Sequence, residues 1–530
     1  MFPVRNLTCR TSIFSSETCE LRTMAIVTAT LETAPAFENG TTPARWRLPL
    51  ALGGFGFATA FAGSWVPSFW GDEAASVMSA ERSLPSLFRM LGHVDAVHGL
   101  YYLFLHFWIG AFGASELSVR LPSALAVGVL VAGTFVLART LASRNFAIVA
   151  AAICALLPRV SYMAEDARSY AFTAAIGVWV TVLLLALLRN RLSPRAHRLG
   201  WLGYSITMAI GTYLFLYFVL LILVHGAFVA ASPEYRPRWR LWARASALAV
   251  VLSLPIVALG FVQRAQIAFL AKRGYANAPG VLAVQWFGSN PLLAVIAWTL
   301  IAAAVVGVVL ARRRRSAVPL ASAVNLGMLW LALPTLALLA LNTLTPAYNY
   351  RYLSFCTPGV ALAITAGAWI LPRTGLRVAA LALVVLLSVP TDVAEHTPFA
   401  KDHGSDLRQT AEYIGANAIA GDGIVFDEST ARRLRPRLGM HLYPSSFSAV
   451  QDVTLNEAYS TRAGLWDSTI PVADASPQLA SVNRVWLVVI RHSADERSGA
   501  DLHTLESDGF AVTSRHLVHR TIVYLLERQP

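Results

Sequence analysis

Four short clusters hold most of the side chains in this sequence that could do chemistry. Trp70-Gly71-Asp72-Glu73 follows a long apolar run and sets two carboxylates side by side. Where a chain leaves a membrane, such a pair can place one carboxylate in a cavity as a general base. The plainer reading is a helix start, where acids cap free N–H groups and favour the dipole. His93-Val94-Asp95-Ala96-Val97-His98-Gly99 contains metal-ligating residue types at short spacing. A polar loop entering a helix explains that run equally well. Ala164-Glu165-Asp166-Ala167-Arg168-Ser169-Tyr170 packs two acids and an arginine into one short loop. The planar fork of Arg168 suits a phosphate, whereas an ion pair anchoring a helix end would contribute little. In Tyr348-Asn349-Tyr350-Arg351-Tyr352 the same residue types serve a binding site or simply anchor a helix at a membrane interface.

The elements that must position these clusters are membrane spans. Of 530 residues, 56% are hydrophobic and 14% charged, with mean hydropathy +0.54. An ordinary soluble domain carries roughly 25% charged residues. The composition excludes a soluble enzyme, a disordered chain and a collagen-like one. The net charge of +13 is unevenly placed: residues 1–392 hold 30 basic and 13 acidic groups, whereas 393–530 hold 13 and 17. A basic excess inside an apolar region follows the positive-inside rule and does not indicate nucleic acid. Four cysteines, Cys9, Cys19, Cys154 and Cys356, give no disulfide framework.

Residues 1–46 are polar and Thr-rich, and read as a disordered cytoplasmic tail in which Met24 is an alternative start. Apolar segments long enough to span follow at about 47–66, 119–140, 145–161, 171–188, 199–213, 214–231, 245–262, 291–311, 318–341, 352–371 and 376–391. The stretch 199–231 reads as one long helix or two short ones. Two helices put every arginine cluster on one side: Arg45/Arg47, Arg139/Arg144, Arg189/Arg191/Arg195/Arg198, Arg236/Arg238/Arg240/Arg244, Arg312–Arg315 and Arg373/Arg377. That gives 18 arginines inside and nine basic residues outside, as the rule requires. The expectation is eleven spans across the plasma membrane, N-terminus cytoplasmic and C-terminus outside. Eight of the nine acids that follow the tail within the apolar part then face outward, Glu234 being the exception. Acids at membrane boundaries are costly and tend to be functional.

The first outer loop, 67–118, contains Leu100–Phe112, too short to span and suited to an interfacial helix with Tyr101, Tyr102 and Trp108 as belt residues. In the outer loop 263–290, Trp286 and Phe287 are expected to dip into the bilayer. The spans with their loops, 47–391, form the membrane domain. Residues 392–530 read as a small extracytoplasmic α/β domain, with a helix at Asp406–Ile414 and strands at Gly423–Phe426, Arg484–Ile490 and Thr521–Leu526. No Walker loop, dinucleotide glycine pattern, nucleophile elbow or CxxC pair is present.

Taken in order, the clusters resemble the GT-C superfamily of polytopic glycosyltransferases, nearest to the family 39-like enzymes, which include protein O-mannosyltransferases and the aminoarabinose transferase of lipid A. The resemblance rests on Gly71-Asp72-Glu73, His98-Gly99-Leu100-Tyr101-Tyr102, Phe112-Gly113-Ala114-Ser115-Glu116, Arg120-Leu121-Pro122-Ser123-Ala124, Glu165-Asp166-Ala167-Arg168-Ser169-Tyr170 and Arg351-Tyr352. It covers about residues 65–370. Gly99 stands where the family often has paired prolines, and Asp166 where a glutamate is common. The resemblance implies inverting transfer of a mannose- or pentose-like sugar from a polyprenyl-phosphate donor to a glycan, lipid or protein acceptor at the outer leaflet. It implies Asp72 as base, with Glu73 orienting or replacing it. Arg168 and Arg351 become the donor-phosphate residues, with Tyr352 beside them. His98 and Tyr102 line the pocket, and Glu165 and Asp166 hold the acceptor sugar or a divalent metal. No other cofactor and no nucleic-acid partner is implied. A lipid-linked sugar flippase would need polar residues deep within the spans, which are poor in them. A membrane scaffold or sensor would leave the outer acids without a role. The transferase reading requires Asp72, Asp166, Arg168 and Arg351 to converge on one cavity.

Overall fold

The computed structural model describes residues 42–189, 193–314, 320–491 and 497–530. Residues 1–41, with Cys9, Cys19 and Met24, lie outside the described residues, as do Arg191 and Arg315. Most of the chain is helical. Among the described residues, seven helices are long and apolar enough to cross a membrane: Glu116–Leu141, Tyr170–Leu188, Arg236–Val262, Pro291–Arg313, Ala321–Asn342, Tyr350–Ile370 and Thr374–Glu395. An eighth is counted if the pair Arg144–Ala155 and Pro158–Ala164, bent by 57°, is one span. Pro158 causes the bend, because it lacks an N–H and disfavours a helical Leu157. The bend swings the Glu165–Ser169 loop towards the Gly71–Ala80 helix.

The 199–231 stretch is broken. Helix Pro194–Leu214 ends at an extended Phe215, and Leu216–Leu220 forms a 3-10 turn before helix Leu221–Ala231. Gly99–Phe112 is a helix, as its composition suggests, but Tyr101 and Tyr102 are wholly buried. The exposed residues of that helix include Phe107 and Phe112. The two tyrosines are therefore interior groups and not interfacial belts. Trp286 and Phe287 are also buried within the protein rather than offered to lipid.

Beyond Glu395 the chain builds a mixed sheet. Its strands are β1 Asp422–Phe426, β2 Val450–Asp452, β3 Leu455–Glu457, β4 Ser468–Thr469, β5 Arg484–Ile490, β6 Phe510–Leu517 and β7 Thr521–Arg528. The five-stranded sheet runs β2-β1-β5-β7-β6, and β3 pairs with β4 separately. β1 is parallel to β2 and β5, while β7 is antiparallel to β5 and β6. Helix Leu407–Asn417 covers one face through Ala411 and Ile414.

This region is fastened to the segment just before Asp72. Arg408 bonds Glu116 at 2.9 and 2.6 Å, Ser405 Oγ donates to the Phe69 carbonyl at 2.6 Å, and Tyr443 accepts from the Phe69 N–H at 3.2 Å. Gly71 is required by the fit: a Cβ there would lie 2.0 Å from the Arg433 carbonyl oxygen. Backbone and β-carbon cannot share that space, so Gly71→Ala is expected to displace the Arg433 segment. Limited proteolysis should then cut residues 402–435 faster than in the parent chain; unaltered cleavage would mean the approach is not needed.

Candidate active site

The Gly71–Ala80 helix begins with both acids in its first turn, and adjacent helical residues point about 100° apart. Asp72 and Glu73 therefore face different surroundings. Glu73 is completely buried and bidentate to Arg120, with Nε–Oε1 at 2.7 Å and Nη2–Oε2 at 2.5 Å. Its Oε1 also accepts the Ala167 N–H at 3.2 Å. Arg120 donates further to the carbonyls of Ser64 at 2.7 Å and Pro67 at 2.8 Å. Glu73 thus orients its neighbours and is not available to replace Asp72 as a base.

Asp72 instead keeps its side chain 22% exposed. Its Oδ2 lies 2.9 Å from Arg351 Nη1 and its Oδ1 3.9 Å from Arg168 Nη2. Burial alone would raise its pKa, but the charges of Arg351 and Arg168 outweigh burial and hold it below the ordinary carboxylate range. Asn349 helps place Arg351 by accepting its backbone N–H at 3.1 Å. Arg168 Nη1 donates to the Tyr102 hydroxyl at 3.0 Å, and that hydroxyl donates to Asp95 Oδ2 at 2.7 Å. Asp95 is thereby committed to holding Tyr102. His93 is exposed and turned back to the Arg89 carbonyl at 2.8 Å. His98 stacks on Tyr102 and Phe215. Among the described residues no group of three or more His, Cys, Asp or Glu is placed to hold a metal ion. The HxDx2H run is a loop-to-helix junction.

Asp166 lies buried in the same charge cluster, and its carboxylate oxygens have no hydrogen-bond partner among the described residues. Burial, and next the charge of Glu73, push its pKa up to about 7 despite Arg351 and Arg168. Burial, then Arg168, push His98 down to about 4, so it is neutral at pH 7. Further buried atoms without a partner gather here: Trp70 Nε1, His98 Nδ1, Tyr101 OH, Arg168 Nε and Ser169 Oγ. Buried polar groups are rarely left unpaired, so water or a polar ligand is expected to complete the bonding here. Tyr352 and Tyr170 pack on Phe215 at ring separations of 5.3 and 5.4 Å, forming an aromatic cluster beside these groups.

Glu165 lies apart from this group. It is paired with Lys401 at 3.0 Å and His396 at 2.9 Å from the segment after the last long helix. These pairs tie the Glu165–Ser169 loop to that segment. Its hydrogen bond to His396 raises the histidine pKa to about 9. Sequence reading missed Tyr162 and Phe215, and gave Trp70 no role of its own. Tyr162 accepts from Arg351 at 3.3 Å, and Arg351 lies over the Trp70 ring. Their apolar neighbours made them look like ordinary core.

The fold is shared with solved structures of other proteins. The chain is similar to apo ArnT from Cupriavidus metallidurans, with TM-score 0.54, 12% identity and coverage of 92% of this chain and 98% of that one. The same protein bound to undecaprenyl phosphate gives TM-score 0.50 and 14% identity over 92% and 98%. The apo oligosaccharyltransferase of Archaeoglobus fulgidus gives 0.50 and 11% identity over 84% and 70%. No protein-family model and no curated protein sequence matches the chain.

Because the Asp166 pKa is raised by folding, its proton stabilises the folded state. That contribution is complete below the unfolded value, about 4, and is lost as pH rises through about 7. Thermal unfolding in detergent should show stability declining between about pH 4 and pH 7, and Asp166→Asn should flatten that decline. An identical slope in the variant would assign the titration to another group. Separately, Arg120→Met leaves Glu73 buried and unpaired, which is expected to cost about 3–5 kcal/mol. Denaturant titration would show this as a large loss of folded protein; parental stability would contradict it.

Proposed function

We propose that the protein is an inverting membrane glycosyltransferase. It moves a mannose- or pentose-like sugar from a polyprenyl-phosphate donor to a glycan, lipid or protein acceptor on the outer face of the plasma membrane. The observation that carries this reading is Asp72 held between Arg351 and Arg168 among buried polar atoms without partners. The GT-C fold supports it, as does a protein of the same fold crystallised with undecaprenyl phosphate.

A sugar on a lipid phosphate already has a good leaving group. One carboxylate must take the acceptor hydroxyl proton, and cations must stabilise the departing phosphate. Asp72 and the two arginines supply these functions, and their mutual bonding sets the order. In the free protein the guanidiniums neutralise Asp72 and weaken it as a base. A bound phosphate competes for them, and Asp72 gains basicity as the donor arrives. Asp166, His98, Tyr102 and Tyr352 line the sugar side. The proposed topology has eleven spans with the N-terminus cytoplasmic, and residues 392–530 form an extracytoplasmic domain over the site.

Asp72→Asn should lower transfer from undecaprenyl-phosphoryl sugars in isolated membranes about 10²- to 10⁴-fold at normal expression. The anomeric configuration of the product, read by NMR, should be inverted. Full activity in the variant would remove Asp72 from the mechanism.

A further inference from the structure

Among the described residues, five arginines are at least nine-tenths buried: Arg82, Arg120, Arg159, Arg168 and Arg437. Three of them face carboxylates: Arg120 on Glu73, Arg168 near Asp72, and Arg437 on Glu428 and Asp452. Arg82 has none, but Ser86 and the carbonyls of Arg462 and Gly464 take up both its terminal nitrogens. Arg159 differs. It is 3% exposed, and no carboxylate pairs with it among the described residues. Its Nε donates to the Gln285 carbonyl at 2.9 Å and its Nη2 to the Val284 carbonyl at 2.7 Å, while Nη1 has no partner.

The placement of this free Nη1 is specific. The guanidinium lies over the rings of Tyr162 and Tyr350, at 5.0 and 5.2 Å. The Tyr162 hydroxyl accepts from Arg351, which holds Asp72. Arg159 is therefore one ring away from the Asp72–Arg351 pair. Its plane is fixed by two carbonyls of a rigid segment, since Gln285 is itself tied to Thr335 at 3.0 Å and to Tyr348. A buried, uncompensated cation is costly unless an anion completes it.

We propose that Arg159 binds the leaving phosphate of the lipid-linked donor, more tightly after the sugar has left than before. The proposal rests on the transferase reading above. In that reaction the acceptor O–H bond breaks and its proton passes to Asp72. The acceptor oxygen bonds to the sugar anomeric carbon, and the bond from that carbon to the phosphate oxygen breaks with its electron pair on the phosphate. A phosphodiester with one negative charge becomes a monoester with two. The negative charge thereby moves from Asp72 to the departing phosphate, and beside Arg168 and Arg351 the Arg159 Nη1 is the buried guanidinium nitrogen with neither carboxylate nor hydrogen-bond partner among the described residues to meet it. An interaction that strengthens as charge develops lowers the barrier.

The test compares two probes on the full chain in lipid nanodiscs: undecaprenyl phosphate, a monoester, and undecaprenyl-phosphoryl mannose, a diester. Arg159→Gln should weaken monoester binding about tenfold and diester binding less than about threefold. Arg159→Lys should recover part of the monoester loss. Equal losses for both probes, or none, would overturn the assignment. The first is also the signature of a merely structural role for the carbonyl contacts. If the parent protein binds neither probe, the transferase reading falls together with this one. If it binds both and Arg159→Gln binds them equally well, only the Arg159 assignment falls.

Discussion

The buried pair of Glu73 and Arg120 organises the outer half of this molecule. One guanidinium joins the start of the Gly71–Ala80 helix to the Glu116–Leu141 helix and to the carbonyls of Ser64 and Pro67. One carboxylate oxygen reaches on to the backbone of the Glu165–Ser169 loop at Ala167. Two polar side chains thus fix four segments in one geometry. Both are fully desolvated, so neither can let go without leaving a bare charge. Asp72 takes its position from this fixture. With Glu73 turned inward, the helical advance turns Asp72 towards Arg351 and Arg168.

The rest of the site shows competition among charges. Three cations and two acids occupy a small, poorly solvated volume, where each interaction is stronger than it would be in water. Asp72 is held ionised by its arginines, while Asp166, lacking hydrogen bonds, is held partly protonated. Two carboxylates close together are thereby pushed to opposite protonation behaviour, the usual means by which a site separates an acidic from a basic role. Charge balance is left incomplete on the cationic side, and an anionic ligand is the simplest completion.

Much of the fold could be read from the chain because the relevant signals are local. Long apolar runs gave helices, alternating apolar runs gave β1, β5 and β7, and the break near Phe215 agrees with two helices in the 199–231 stretch. Asp72, Asp166, Arg168 and Arg351 come close together, whereas Glu73, Glu165, Asp95 and His93 are engaged by other partners. What was not legible depends on distant partners. Asp72 and Arg351 are 279 positions apart, and nothing in the spacing of Asp72-Glu73 says which acid turns inward. Tyr101 and Tyr102 were assigned to a membrane interface because composition alone cannot tell an amphipathic surface helix from one buried under another layer. Arg159 was passed over because a single arginine in an apolar run carries no pattern.

The close approach of Gly71 to the Arg433 carbonyl has a consequence for how the protein is made. The two residues are 362 positions apart in the chain, so the seat beside Asp72 is finished only when the sheet region has been synthesised. The helices before it can form while the Gly71–Ala80 helix still lacks its cover. The surroundings of Asp72 are therefore completed late in synthesis. A chain that stalls before residue 433 is left without the piece that completes the start of that helix.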